Sequence, residues 1–123
     1  MENIEDKKSG FRVLNIMLAE SHFTRIGNVD FQDSKRMVSF ETGVGGRDNK
    51  INVRLKATVV NMKDGSEQYR IEVSMIGVFE RNGNSQISTD EEFGRVNGAA
   101  IIFPFVREHI ANIALKAGLG SII

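Results

Sequence analysis

The sequence has no cysteine, no tryptophan, one proline, one tyrosine and two histidines among 123 residues. Each shortage excludes something. Without cysteine there are no disulfides, zinc–thiolate sites or thiol nucleophiles. His22 and His109 are far apart and neither has a neighbour at metal-ligand spacing, so no metal site is expected. One tyrosine and no tryptophan make no platform for stacking bases. Sixteen basic residues cancel sixteen acidic ones, so no broad electrostatic drive toward nucleic acid or an acidic membrane exists. No run approaches about 18 consecutive apolar residues, and no membrane insertion is expected. The polar start, MENIEDKKSG, lacks the apolar centre of a secretion signal. These shortages together lead to the expectation of a cytoplasmic protein.

What is present is ordinary globular material: 41% hydrophobic and 26% charged residues, in a length that suits one domain. Residues 1–9 read as a disordered segment and 10–123 as a single domain. In FRVLNIMLAESHFTR, Phe11, Val13 and Met17 share one parity while Leu14, Ile16 and Leu18 share the other. A strand with both faces in contact, or one with a bulge, reads this way. RMVSFETGVGG alternates at Val38, Phe40, Thr42 and Val44, and its glycines 43, 45 and 46 are expected to end that strand in a flexible loop. INVRLKATVVNM and YRIEVSMIGVF alternate cleanly, with Ile51, Val53, Leu55, Ala57 and Val59 on one face and Tyr69, Ile71, Val73 and Met75 on the matching one.

The turn between them, KDGSE, constrains the register. A two-residue Asp64-Gly65 loop would set odd positions against even ones and place apolar residues opposite charged ones. A three-residue loop, Lys63-Asp64-Gly65, restores parity, as does a five-residue one. The three-residue loop pairs Val59 with Tyr69, Leu55 with Val73, and Lys56 with Glu72 on the wet face, a pair worth about 0.2–1 kcal/mol. After a loop at ERNGNSQ, Thr89 and Glu92 suggest a capping box for a short helix over Asp90 to Asn97, interrupted at Asn97-Gly98. A longer helix is expected to begin near Pro104. It carries an apolar stripe of Val106, Ile110, Ile113 and Ala117, has Lys116 in its last turn and is capped by Gly118. The class is α+β: a four-stranded antiparallel sheet with one short and one long helix on one face.

Catalysis has no visible constellation. There is no GxSxG elbow, and GVGGRDNK runs into a strand rather than the helix a phosphate loop needs. Asp90, Glu91 and Glu92 are the acids expected in a first helical turn. Neither an enzyme nor a cofactor is expected. What stands out is apolar area: Phe11, Leu14, Ile16, Leu18, Phe31, Phe40, Phe79, Phe93, Phe103 and Phe105 exceed what a two-layer core needs. Oligomerisation or a partner-binding groove would absorb the surplus. Two other readings stay open. One is a small-ligand module with a pocket under the helix, for which only His22, His109 and Arg107 offer polar groups. The other is a purely structural subunit.

At IIFPFVREHIANIALKAGLG the sequence resembles the SecB protein-export chaperone family. That family carries an aliphatic–Phe–Pro–aromatic–x–Arg–Glu run, matched here by Ile102, Phe103, Pro104, Phe105, Arg107 and Glu108. FRVLNIMLAESHF resembles the family's first strand and the VRLKATVV–YRIEVSMIGVF pair its central hairpin, so the likeness spans about Phe11 to Ile123. The resemblance implies a homotetramer, a dimer of dimers, acting without ATP to hold unfolded or precursor polypeptides and pass them to an export motor ATPase. The family pattern continues past this point with a connector, another helix and an acidic tail, where this sequence stops at Ile123. The family also includes SecB-like chaperones that guard an antitoxin. Client contact is expected at Phe31, Met37, Phe40, Phe103 and Phe105. Subunit contact is expected at Phe11, Val13, Leu14, Ile16, Leu18 and Phe93.

Overall fold

The computed structural model describes residues 10–81 and 90–122. The expected disordered segment 1–9, the cap at Thr89 and most of the ERNGNSQ loop lie outside them. Four strands, β1 (Phe11–Arg25), β2 (Lys35–Arg47), β3 (Lys50–Lys63) and β4 (Ser66–Arg81), form one antiparallel sheet in the order β1-β4-β3-β2. One helical element, α1, follows as three continuous pieces: a turn at Asp90–Glu92, a π-helical stretch Phe93–Gly98 and an α-helix Ala99–Ala117.

The alternation in β3 and β4 does what period-two patterning dictates. Ile51, Val53, Leu55, Ala57 and Val59 are buried together with Tyr69, Ile71, Val73 and Phe79 under α1. The mixed parity of β1 comes from irregularities: its register against β4 shifts between Val13 and Asn15 and again between Leu18 and Glu20. Each shift adds one residue and inverts the faces that follow.

Two turns depart from expectation. The β3–β4 loop has two residues, Asp64 and Gly65, both at positive φ (52° and 79°), closing on the pair Lys63–Ser66. The parity this would lose is recovered one step later by a bulge, where Met62 pairs with Glu67 but Asn61 pairs with Tyr69. The pairs are therefore Val59–Ile71 and Leu55–Met75, and Lys56 stands opposite Ser74 rather than Glu72. In β2 the glycines do not end the strand. Gly43, Gly45 and Gly46 pair with Arg54, Asn52 and Ile51, and the chain turns only at Asp48-Asn49, with Asp48 at φ 60°. A ladder bond needs no side chain, so glycine weakens a strand without stopping it.

The short and long helices are one. Gly98 takes ordinary helical angles (φ −63°, ψ −46°). Its missing side chain, like that of Gly94, lets the helix lie on the sheet. A Cβ at Gly94 would stand 2.4 Å from Val44 Cγ2, and one at Gly98 would stand 2.9 Å from Val53 Cγ2. Pro104 lies inside the helix rather than at its start. The helical bond that it cannot donate would go to Ala100, and both residues are exposed. The buried stripe is Ile102, Val106, Ile110 and Ala114, with Ile113 and Ala117 half-buried beside it. The helix ends as expected, with Gly118 left-handed at φ 70° and the Leu119 N–H donating to the Ala114 carbonyl at 2.9 Å. By length and composition Phe93–Ala117 could cross a membrane, but its apolar stripe is spent on the sheet.

The glycine contacts give a direct test. Gly94→Ala is expected to cost about 1–3 kcal/mol, because a stiff β-branched valine must move. Adding Val44→Ala should restore part of it. Urea denaturation of the single and double variants measures both, and a single variant as stable as the parent would contradict this packing.

Candidate functional site

The α-helical part of α1 rests on β3 and β4, the two central strands, while its N-terminal turns reach Val44 of β2 and Phe11 of β1; beyond those contacts the helix-side faces of both edge strands are open. On the β2 side, Val38 and Phe40 remain exposed, and Phe40 meets Phe103 with ring centroids 5.6 Å apart and planes tilted by 59°. A depression beside that pair is lined by Phe103, Pro104, Arg107, Glu108 and Ala111. On the β1 side, the Ser21 hydroxyl and His109 Nε2 are 2.8 Å apart, and the Arg25 guanidinium donates to the Ala117 carbonyl. Among the described residues no third group orients this serine–histidine pair and no cluster of three metal-ligating side chains occurs.

The five residues expected to touch a client do not form one patch. Phe40 and Phe103 come together. Phe105 is 45% exposed but projects from another side of the helix, two residues on from Phe103. Met37 is exposed on the sheet face that the helix does not cover, being opposite Val60 rather than Val59. Phe31 is 55% exposed in the β1–β2 connection. Val13, Leu14 and Leu18 are exposed along β1 and Ile16 is half-buried.

Phe11 and Phe93 are different. They are 2% and 0% exposed within a single chain, stack on one another at 3.8 Å, and Phe93 meets Phe79 edge-on at 5.0 Å. They form the core at one end of the sheet, because the π-helical stretch turns Phe93 inward. Apolar exposure that sequence reasoning missed lies on the outer side of the helix, at Val96 and at Leu115, which is 78% exposed. Both fall off the Ile102–Val106–Ile110–Ala114 stripe, a signal the helical period carried all along.

The uncovered sheet face is polar at its centre. Glu20 Oε1 accepts from the Ser74 hydroxyl at 3.0 Å and the Arg54 guanidinium at 3.2 Å, with Lys56 Nζ at 3.5 Å. The Ser74 hydrogen bond first, and then Lys56 and Arg54, hold the Glu20 carboxyl below its ordinary value of 4.5. A depressed carboxyl contributes stability that is complete above its unfolded value and fades as pH falls through the lower folded one. Glu20→Gln is therefore expected to lower the urea midpoint at neutral pH, by a gap that closes as the pH drops below 4.5. A gap independent of pH would rule this out.

The family profile described as preprotein translocase subunit SecB matches residues 28–123. Among solved structures, the chain is similar to the Mycobacterium tuberculosis Rv1957 SecB-like chaperone, solved in complex with a ChAD peptide from the Rv1956 HigA1 antitoxin. The TM-score is 0.75 at 11% identity, over 91% of this chain and 87% of that one. A Streptococcus agalactiae protein of unknown function aligns with TM-score 0.46 at 17% identity, over 86% of this chain and 90% of that one. No curated protein matches.

Proposed function

The chain belongs to the SecB family, and we propose that it is a molecular chaperone that holds unfolded polypeptides without ATP, in the cytoplasm, for delivery to export. The observation that carries this reading is the aromatic pair where α1 meets β2: Phe40 and Phe103 lie 5.6 Å apart, with the Phe40 ring half open to solvent. A holdase needs contiguous apolar area rather than reactive groups, and aromatic rings supply much area at small entropic cost. Contacts that are weak singly and summed along a chain allow many clients. Phe31, Met37 and Phe105 offer separate exposed patches away from that pair, which a long client could reach in addition.

The same reading makes the protein a tetramer, a dimer of dimers, with subunits meeting along β1 at Val13, Leu14, Ile16 and Leu18. Phe11 and Phe93 drop out of that surface because each chain buries them itself. Light scattering should give four times the 13.7 kDa chain mass. A second reading, guarding one antitoxin, draws on the peptide bound to Rv1957. The deciding experiment dilutes a chemically unfolded enzyme into buffer with the protein and no nucleotide. Suppressed aggregation supports the holdase. Its absence, with a single co-purified peptide from lysate instead, favours the dedicated reading.

A further inference from the structure

At the end of the sheet away from Phe93, four residues on the helix side stand in one row across all four strands. Arg25 of β1 pairs with Tyr69 of β4, Tyr69 with Asn61 of β3, and Asn61 with Arg36 of β2. The middle two are buried, and Arg36 also reaches the Tyr69 hydroxyl. The chain leaves α1 at Gly118 and runs across this row. The two arginines hold it at both ends: the Arg25 guanidinium donates to the Ala117 carbonyl, and Arg36 Nη1 donates to the Ser121 carbonyl at 3.4 Å. Three interstrand gaps make the row about 14 Å wide, a span that the residues between those carbonyls can cross. Leu119 and Ile122 are buried in the core, while Gly118, Gly120 and Ser121 lie on the surface.

This strap, residues 118–122, is held lightly for a segment that contributes to a core. Among the described residues its only backbone–backbone bonds are the two of the helix cap, from Gly118 to Leu115 and from Leu119 to Ala114, so the sheet holds it by side chains alone. Gly118 and Gly120 are both left-handed, at φ 70° and 74°. Burial of two aliphatic side chains is set against the backbone freedom of five residues, opposing terms of similar size. The strap itself shows what the seat accepts: a stretch with aliphatic residues three apart, whose main-chain carbonyls take bonds from Arg25 and Arg36. Contacts to main chain and to plain aliphatic groups demand little of the sequence, which suits an unfolded chain. We propose that the strap is an intramolecular stand-in for client: it fills a second polypeptide site, apart from the Phe40–Phe103 pair, and a client segment of the same pattern displaces it. The inference rests on the chaperone reading. It adds a self-competition that keeps the apolar floor of this seat out of water whenever no client is bound.

The test substitutes Gly120. A Cβ there would meet nothing within 4 Å, so only the left-handed angle resists a side chain. Gly120→Ala should favour the open strap by the cost of that angle. Affinity for a fluorescein-labelled, end-capped peptide AGLGSI, the strap's own sequence, should then rise about five- to thirtyfold. Gly120→Asn, whose side chain tolerates the angle, should stay near the parent. The isomeric peptide AGSGLI, with its aliphatic residues adjacent, should gain nothing. Tyr69 is the one tyrosine in a chain without tryptophan, so its fluorescence reports on the row. Acrylamide quenching should rise in Gly120→Ala and fall back as unlabelled AGLGSI is added. Reduced, carboxymethylated α-lactalbumin, a permanently unfolded chain, should displace the labelled peptide. Unchanged peptide affinity, equal gains for both peptides, or no displacement by the unfolded chain overturns the proposal. The chaperone reading then stands if the parent still suppresses aggregation of the diluted enzyme, and both fall if it does not.

Discussion

Replacing Phe93 by alanine should remove about 3–5 kcal/mol of stability, the range for truncating a fully buried aromatic. The side chain is completely enclosed, stacked on Phe11 at 3.8 Å and set edge-on to Phe79 at 5.0 Å, so its loss leaves a cavity and forfeits two ring contacts. The neighbours cannot collapse into the space, because Gly94 and Gly98 already hold the helix as close to the sheet as Val44 and Val53 allow. The measurement is urea unfolding at two protein concentrations tenfold apart. A core residue lowers the midpoint by the same amount at both. A residue buried only between subunits would lose assembly first, and its effect would grow on dilution. Phe93→Leu, which keeps much of the volume, should cost far less, and equal losses for the two variants would contradict the packing described.

Phe93 also shows where reading the sequence stops. Its neighbours Glu92 and Gly94 give no alternation, and an isolated phenylalanine in a short helix looks like a surface anchor. Only the π-helical stretch, a feature with no sequence signature, turns it inward. The strands were legible because burial on one face writes a period of two into β3 and β4. Parity was legible too: the Asp64-Gly65 turn had to be compensated, and it is, by a bulge at Gln68 rather than by a longer loop. A bulge and a longer turn repair the same parity, so composition could not choose between them. The glycines misled in both directions. Those at 43, 45 and 46 look like a loop by composition but stay within the ladder. Gly98 looks like a break by propensity, yet it is where the helix presses on Val53. In each case the decisive fact is a neighbour distant in sequence, and local propensity is silent about it. The candidate groove was half legible. Phe40 and Phe103 could be named as large and unspent, but that they meet, while Met37 and Phe105 face elsewhere, follows from a register and a helix phase fixed by packing.

The double variant Phe40→Ser, Phe103→Ser is expected to weaken client binding about thirty- to hundredfold while leaving the fold intact. Phe40 is 45% exposed, and Phe103 packs against the edge of the core rather than within it, so neither substitution opens a closed cavity. A bound chain would cover what remains open on the two rings. At about 25 cal/mol per Å² of apolar area, shielding some 100 Å² in total is worth about 2–3 kcal/mol, which sets the size of the effect. Phe31→Ser and Phe105→Ser probe isolated patches and should each cost less than tenfold. Fluorescence anisotropy of a labelled unfolded polypeptide measures affinity, and circular dichroism with light scattering checks that fold and assembly persist. If the double variant is folded, assembled and still suppresses aggregation like the parent, clients do not use the Phe40–Phe103 pair. The exposed residues along the outer helix, Val96 and Leu115, would then be the next surface to test.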